Sequence, residues 1–392
     1  MEKVILIHYS EIALKKGNRK YFEQKLNQNI LKATNGLPKG NLKIDYGRFV
    51  LSLVKDSPVE KIVERLKKIM GIAYFSVAFS GSKDIEVLRE QVFEKVQNLE
   101  FENFCIQTRR TDKSFPLTSL QVNQAVGEKI HLGLKKPVKI KNPDLKCNIE
   151  IYNNQVFFYL KRHEGQRGLP VGSSGRVVSL LSSGIDSPVS SYKMIKRGCR
   201  VIFVHFHSFP MTNKSSYHNT VKLAQKLTQY QYNSKIYMVP LIKIQEEIIL
   251  RAPIKFRIIL YRRMMYRIAE SIALNEKAKA LITGESVGQV ASQTLENIAA
   301  ISEVVSLPIL RPLIGYDKEE IINEAKKINT FKTSIEPYDD CCSYLVPENP
   351  ETKAKPHEVH NAEEKLESWE ELIKQAIKES EVLKISFPDS EH

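Results

Sequence analysis

Residues 177–189 read Val-Val-Ser-Leu-Leu-Ser-Ser-Gly-Ile-Asp-Ser-Pro-Val, and this stretch indicates how the second half of the chain folds. Its apolar start is typical of a buried strand, and Pro188 suits the first turn of a helix. Residues 182–187 therefore join a strand to a helix start, where unpaired N–H groups and the helix dipole favour a phosphate. A Walker A loop would end in Gly-Lys-Ser/Thr, which is absent here. The alternative is a plain turn in which Asp186 and Ser187 cap the helix.

Strand and helix patterns alternate from this stretch to residue 356, which predicts a doubly wound parallel sheet with helices on both faces. The glycine-rich residues 166–176 just before it are expected to form a linker. The acidic end, 357–392, is expected to form one amphipathic helix over 359–380 that packs on the protein. Its apolar stripe consists of Leu366, Trp369, Ile373 and Ile377.

The first half of the chain predicts two smaller α+β domains. Residues 1–80 show strand and helix patterns in the order β-α-β-β-α-β, which is ferredoxin-like. Residues 81–165 mix helices and strands, and Asn153-Asn154 is a hairpin turn signal. The overall prediction is a multidomain protein of α+β and α/β classes.

Composition limits the classes of function. A chain of 392 residues suggests two or three domains. It has neither an 18-residue apolar run nor a signal peptide pattern, so we expect a cytoplasmic protein without membrane attachment. The net charge of +14 is concentrated in the front of the chain, which suggests a polyanionic partner. A well-solvated lysine-rich surface is the alternative.

The cysteines argue against a disulfide framework or a zinc ribbon, because their number is odd and no C-x-x-C occurs. They are Cys105, Cys147, Cys199, Cys341 and Cys342. The first three lie in apolar or strand-like surroundings and are expected to be inert. Cys341-Cys342 follows Asp339 and Asp340.

Residues 178–189 resemble the PP-loop of ATP pyrophosphatases, S-G-G-x-D-S, and the chain is similar to the tRNA 4-thiouridine synthetase family. Residues 110–119 resemble that family's RNA-binding THUMP domain. Residues 168–172 resemble its linker, and 283–294 resemble its second nucleotide signature. The likeness runs through nearly all of residues 1–350 in the right order.

The resemblance implies an enzyme that uses ATP to adenylate O4 of uridine 8 in tRNA. Sulfur then replaces the activated oxygen, giving 4-thiouridine, AMP and pyrophosphate. ATP and Mg²⁺ are the implied cofactors, with Asp186 positioning the metal or the phosphates. The implied ATP-binding residues are Leu180, Leu181, Ser182, Ser183, Gly184, Asp186, Ser187, His205, Phe206, Arg262, Gly284 and Gln293. Arg262 or its neighbour Arg263 would offset phosphate charge, unless Arg262 is an ordinary surface residue.

Ser183 stands where most relatives have glycine, and a positive φ there would weaken the expectation of a working loop. Residues 337–343 resemble the segment that bears a catalytic cysteine, which makes Cys341 the first candidate and Cys342 the second. The neighbouring aspartates should raise the pKa of this thiol. The alternative is that both cysteines are structural.

Partners follow from the same resemblance. The sequence reaches His392 without a rhodanese domain, so we expect a cysteine desulfurase or a separate rhodanese to supply persulfide. The family's link to thiamine synthesis is tied to that domain and is doubtful here. Without C-x-x-C spacing, we expect no iron–sulfur cluster. A homodimer is also expected, because the surface that binds the acceptor end of tRNA must lie some distance from uridine 8.

The expected phosphate contacts to tRNA are Arg109, Arg110, Lys113, Lys135 and Lys136. Three other functions stay open at this point. They are another PP-loop ligase, a tRNA-binding protein with an inactive nucleotide site, and a THUMP methyltransferase. The last lacks a Gly-rich adenosylmethionine loop.

Overall fold

A computed structural model describes residues 1–45, 47–337 and 350–387. The chain forms two compact units that divide between Leu169 and Pro170. Cys341 and Cys342, the candidates for the reactive thiol, lie outside the described residues. Across the described ranges, no helix has the length and apolarity needed to cross a bilayer.

The first unit is built on one sheet. Its strands are β1 (Lys3–His8), β2 (Leu42–Asp45), β3 (Arg48–Ser52), β4 (Tyr74–Gly81), β5 (Phe104–Arg110), β6 (Leu145–Tyr152), β7 (Gln155–Tyr159) and β8 (His163–Glu164). Its helices are α1 (Arg19–Ala33), α2 (Val59–Leu66), α3 (Ile85–Val96) and α4 (Ser119–Leu134). The order β2-β3-β1-β4-β7-β6-β5, with β8 beside β4, begins with the antiparallel ferredoxin-like arrangement that the sequence predicted.

Strand β4 belongs to both halves of this sheet. One edge pairs with β1, where Val77 lies opposite Ile5. The other edge pairs with β7, where Phe79 lies opposite Phe158 and the two rings stack at 5.4 Å. The ferredoxin-like and THUMP segments are therefore joined by backbone hydrogen bonds as well as by the chain.

The hairpin between β6 and β7 turns at Asn153 and Asn154, whose φ angles are 44° and 59°. Two positive φ angles define the tight turn that asparagine tolerates, as predicted. The Asn153 amide donates to Asp45 Oδ1 at 3.1 Å. Asp45 ends β2, an edge strand that β3, β1 and β4 separate from β7 and β6. A hydrogen bond between Asn153 and Asp45 therefore requires the sheet to be strongly curved.

The second unit is doubly wound, as predicted. Its strands are β9 (Arg176–Leu180), β10 (Arg200–His207), β11 (Asn233–Pro240), β12 (Leu281–Ile282), β13 (Ile309–Leu310) and β14 (Glu381–Ser386). Its helices are α5 (Asp186–Lys196), α6 (Ser215–Gln231), α7 (Ile242–Arg251), α8 (Arg257–Asn275), α9 (Leu295–Ser302), α10 (Lys318–Lys327), α11 (Phe331–Ser334), α12 (Pro356–Glu363) and α13 (Trp369–Lys378).

The strand order β13-β12-β9-β10-β11-β14 contains the feature that positions the site. All neighbours are parallel except β14, which pairs antiparallel with β11. From β9 the chain proceeds to β10 and β11 on one side, and later to β12 and β13 on the other. Ligands of such sheets bind at the carboxyl ends of the strands where the order reverses, which is between β9 and β12.

The prediction of one C-terminal helix over 359–380 is wrong. Helix α12 ends at Glu363, α13 begins at Trp369, and Ser368 between them has a left-handed φ of 51°. The break lets Glu363 reach the buried Arg263 and the half-buried Arg267 while the apolar stripe still meets the core. Tertiary packing therefore outweighs helix propensity here. The stripe itself is confirmed: Leu366 and Ile373 are buried, and Trp369 and Ile377 pack beside them.

Glu363 ties this tail to helix α8. Its carboxylate accepts from Arg263 Nη2 at 2.7 Å and from Arg267 Nη2 at 3.0 Å. The Arg267 guanidinium also lies 4.3 Å from the centre of the Trp369 ring. Burial alone would raise the pKa of Glu363, but the two guanidinium groups lower it to about 2.

We expect Glu363→Gln to reduce the free energy of unfolding by about 3 kcal/mol at pH 7, because Arg267 loses its counter-charge and the buried Arg263 keeps only Glu303. The pKa of Glu363 falls from 4.5 to about 2 on folding. Its stabilisation is therefore complete above about pH 4.5 and disappears as the pH falls through about 2. Urea unfolding of both proteins at pH 7, 4 and 2.5 measures this, with the exposed Glu370→Gln as control. A difference that does not shrink with acid would contradict the assignment.

Candidate active site

A cavity of about 460 Å³ lies at the switch between β9 and β12. The end of β10, the loops that follow β9 and β12, and one face of helix α8 line it. Ten residues that the sequence assigned to ATP lie on its wall: Leu180, Leu181, Ser182, Asp186, Ser187, His205, Phe206, Arg262, Gly284 and Gln293. The structure thus brings together residues from four separate parts of the chain.

The loop 182–187 is held by its own serines. Ser187 Oγ accepts from the Ser182 backbone N at 2.9 Å and donates to the Ser182 carbonyl at 3.2 Å. Helix α5 begins at Asp186, and its N-cap residue is Ile185, which supplies no side-chain cap. The alternative of a turn capped by Asp186 and Ser187 therefore does not describe this helix start. An uncapped helix N-terminus beside a cavity suits a phosphate.

Ser183 and Gly184 belong to the loop but do not line the cavity. Ser183 is buried and has no positive φ, so serine fits here without backbone strain. Its hydroxyl lies 3.2 Å from Ser216 Oγ, which is 3.4 Å from His205 Nε2. The departure from glycine is thus absorbed by a buried chain of hydrogen bonds.

His205 holds the backbone that leads into loop 182–187. Burial lowers the pKa of His205 to about 4, so its ring is neutral at physiological pH. Its Nδ1 lies 2.9 Å from the Leu181 carbonyl, which makes this nitrogen the donor and leaves Nε2 to accept from Ser216. The ring therefore fixes the backbone just before the serine loop.

Asp186 places a carboxylate at the loop. It accepts from Lys318 Nζ at 2.8 Å and from Gln289 Nε2 at 2.9 Å. One carboxylate is a suitable protein ligand for Mg²⁺, which usually keeps several waters and takes its other ligands from substrate phosphates. Among the described residues, no group of three His, Cys, Asp or Glu side chains is arranged to hold a metal.

Of the two neighbouring arginines, Arg262 is the one that faces the cavity. Its Nη1 donates to Ser292 Oγ at 3.0 Å, and its Nη2 lies 3.3 Å from Glu285 Oε1. Arg263 is turned the other way and is buried against Glu363 and Glu303. The alternative that Arg263 offsets the phosphate charge is therefore wrong, because successive residues of a helix face different directions.

Sequence reasoning missed Glu285, although it lies inside the quoted stretch 283–294. This buried carboxylate accepts from Tyr266 OH at 2.9 Å and from Arg311 Nε at 2.7 Å. Burial alone would raise the pKa of Glu285, but Arg262 and Arg311 hold it below its usual range. Glu285 therefore carries a negative charge that orients Arg262. Tyr266, Thr283 and Ser292 on the wall were missed as well.

Gly284 is the contact point between the two loops. A Cβ on this residue would lie 2.8 Å from Ser187 N and 2.9 Å from the Asp186 carbonyl carbon. Both are backbone atoms that no side-chain rotation can move. The Ser190 hydroxyl adds a 2.6 Å bond to the Thr283 carbonyl. The loop after β12 is thereby pressed directly against the start of helix α5.

The expected RNA contacts form two groups at opposite ends of β5. Arg109 and Arg110 end the strand, and Lys113 follows. Lys135 and Lys136 follow helix α4 near the strand's beginning, since Lys136 Nζ lies 6.0 Å from the centre of the Phe101 ring. Six residue steps of about 3.3 Å put the two groups about 20 Å apart. Arg110 also donates to the Phe115 carbonyl at 2.7 Å.

Cys147 and Cys199 are the buried cysteines among the described residues, and both fit the predicted inert role. Burial raises the pKa of Cys147 to about 12 and also raises the pKa of Cys199. Neither thiol is a nucleophile at neutral pH.

Comparison with known proteins decides the family. The family model for "Thiamine biosynthesis protein (ThiI)" matches residues 172–368, the ThiI ferredoxin-like domain matches 4–76, and the THUMP domain matches 82–161. The chain belongs to the ThiI family. Its relatives include probable tRNA sulfurtransferases, which makes the chain a sulfur-transferring enzyme. The three matches confirm the ferredoxin-like, THUMP and PP-loop organisation predicted from the sequence.

Individual members of the ThiI family resemble the chain over its whole length. A probable tRNA sulfurtransferase from Thermus thermophilus is 39% identical over 99% of this chain and 95% of its own. One from Coxiella burnetii is 41% identical over 98% and 100%. A crystal structure of a 4-thiouridine synthetase in complex with RNA and bound ATP superposes with a TM-score of 0.90. It is 36% identical and covers 98% of this chain and 100% of its own.

We expect Gly284→Ala to weaken nucleotide binding and to destabilise the fold by about 1–3 kcal/mol, because its methyl group must displace backbone. Gly315→Ala is the matched control, since a Cβ there meets no atom within 4 Å. Thermal unfolding and ATP titration of both variants test the contact. Equal behaviour of the two variants would show that the loops are not pressed together.

Proposed function

We propose that this enzyme uses ATP to transfer sulfur to O4-activated uridine 8 of tRNA, giving 4-thiouridine. The observation that carries the proposal is the convergence of an uncapped helix N-terminus, Asp186 and Arg262 on one cavity at the switch point. The similarity to an ATP-bound 4-thiouridine synthetase–RNA complex over 98% of the chain supports it. Cytoplasm is the proposed location.

The cavity has a polar and an apolar side, which suggests how ATP lies in it. Loop 182–187 and Arg262 offer N–H groups and a positive charge for the phosphates. Leu180, Phe206 and Met265 offer an apolar wall for the adenine ring. We place the base against this wall and the pyrophosphate at the helix start.

Asp186 would hold Mg²⁺ together with the ATP phosphates. A bound Mg²⁺ offsets phosphate charge and favours departure of pyrophosphate. Lys318 Nζ lies 2.8 Å from Asp186 Oδ1, so this ammonium group would be available to the phosphates if Asp186 held Mg²⁺. Arg262 stays oriented by Glu285 throughout.

The chemistry needs two displacements. Uracil O4 attacks the α-phosphorus of ATP, the bond to pyrophosphate breaks, and an O4-adenylate forms. A sulfur nucleophile then attacks C4, and AMP leaves with the former O4. We assign the carrier of this sulfur to Cys341, which would receive it as a persulfide from a separate cysteine desulfurase or rhodanese. After the outer sulfur has bonded to C4, an external thiol attacks Cys341 Sγ and the S–S bond breaks, which releases 4-thiouridine and leaves Cys341 in a mixed disulfide. A second thiol molecule reduces this disulfide and restores the Cys341 thiol. To reach the cavity, the uridine must leave its stack.

The decisive experiment incubates the protein with unmodified tRNA, ATP, Mg²⁺ and sulfide, and measures 4-thiouridine and AMP. We expect both products in equal amounts. Arg262→Ala should lower the rate by about 10²-fold, because it removes a charge from the phosphates. Lys279→Ala, an exposed residue before β12 at the other end of the sheet, should retain activity. Absence of both products with the wild-type protein would refute the proposed function.

The two basic groups beside β5 should each contribute to tRNA affinity. We expect Arg109→Ala with Lys113→Ala, and Lys135→Asn with Lys136→Gln, each to weaken binding. Each pair should also flatten the dependence of log Kd on log salt by about 1 per lost phosphate contact. Asparagine is used at residue 135 because its φ is 55°.

The control for this measurement is Lys55→Gln with Lys61→Gln, two exposed lysines elsewhere in the same unit. A salt dependence unchanged in one of the two test pairs would place that end of β5 outside the RNA interface.

A further inference from the structure

Beside the cavity lies a segment that none of the proposed steps uses, residues 208–214, which we name the Phe209 loop. It continues from β10, whose residues His205 and Phe206 form part of the cavity wall. It ends where helix α6 begins, with the Asn213 side chain accepting from Ser215 N at 2.8 Å. The Phe209 loop therefore leaves the sheet at the edge where the substrate must enter.

The base of this loop is firmly built. Ser208 is buried and donates to Gln245 Oε1 at 2.5 Å. Thr212 is buried too, and its backbone N donates to the Ser208 carbonyl at 3.2 Å. These bonds close residues 208–212 into a tight arch with fixed ends.

The apex of the arch carries apolar side chains to the solvent. Phe209 is 45% exposed and Met211 is 49% exposed. Single exposed apolar side chains are common on protein surfaces. These two lie one residue apart on a loop beside the cavity, where a bound substrate would cover them. Lys214 Nζ lies 4.7 Å from the centre of the Phe209 ring, so the aromatic surface carries its own positive charge.

We propose that Phe209 is a stacking platform for an unpaired base of the RNA substrate, with Lys214 neutralising an adjacent phosphate. The proposal rests on the function proposed above and identifies a residue that takes part in binding its substrate. Proteins hold splayed-out bases by stacking them on exposed aromatic rings, and cations beside the ring serve the backbone. A uridine that leaves its stack also unstacks its neighbours, which creates the base that this platform would receive.

The occupant is assigned as RNA from the position and chemistry of the pair. An aromatic ring with an ammonium group beside it matches a nucleotide, which offers a flat base and a negative phosphate together. The sulfur-donor protein is the competing occupant, and it is excluded by choosing a sulfur source that needs no protein.

The test measures kcat and KM for tRNA with sulfide as the only sulfur source. We expect Phe209→Ala to lower kcat/KM for tRNA about ten-fold or more, while its Kd for ATP stays at the wild-type value and reports an intact fold. Phe209→Trp should restore activity, because it keeps an aromatic face, and Phe209→Leu should not. The control is Leu250→Ala, a change at a 75% exposed apolar residue on α7.

A direct signal is available because the chain has one tryptophan, Trp369. In the Phe209→Trp variant, tRNA should quench the added fluorescence, whereas ATP alone should not. If Phe209→Ala matches Leu250→Ala in the sulfide assay, or loses activity only with a persulfide-donor protein, the platform is refuted. Because wild-type activity is measured alongside, this failure is distinct from failure of the proposed function.

Discussion

The contact of Gly284 with the backbone of Asp186 and Ser187 is the constraint on which the site depends. Two loops that leave neighbouring strands in opposite directions would normally open a wide crevice. Here a residue without a side chain brings them within van der Waals distance at one point. The contact closes one end of the crevice. The start of helix α5 and the wall residues therefore face a single cavity.

The charged and polar side chains around the cavity are held in position before any ligand binds. Arg262 is oriented by a buried glutamate that Arg311 also neutralises, so its direction does not depend on the ligand. His205 is kept neutral by burial, so it can serve as a hydrogen-bonding support without adding charge beside the phosphates. Preformed dipoles and charges of this kind need little reorganisation when charge develops during reaction. The buried hydroxyl of Ser183 joins the same support through Ser216.

Local patterns predicted the parts of the structure that depend on neighbouring residues. The ferredoxin-like order, the Asn153-Asn154 turn and the alternation of the second unit all follow from periodicity and turn chemistry. The break in the C-terminal tail could not be predicted, because it depends on Glu363 meeting arginines about a hundred residues earlier in the chain. The choice of Arg262 over Arg263 depends on how α8 is rotated, which only packing decides. Strands of two residues, such as β12, are too short to show a period.

Both halves of the first unit share strand β4, so they cannot be separated at the border between the two family modules. Family models divide the chain between residues 76 and 82, yet β4 runs from Tyr74 to Gly81 and pairs on both edges. A fragment cut at that border would leave an open sheet edge, which invites aggregation. The structural unit is therefore residues 1–169 as a whole. A fusion protein that keeps residues 1–169 intact therefore also keeps a fixed distance between the two basic groups at the ends of β5.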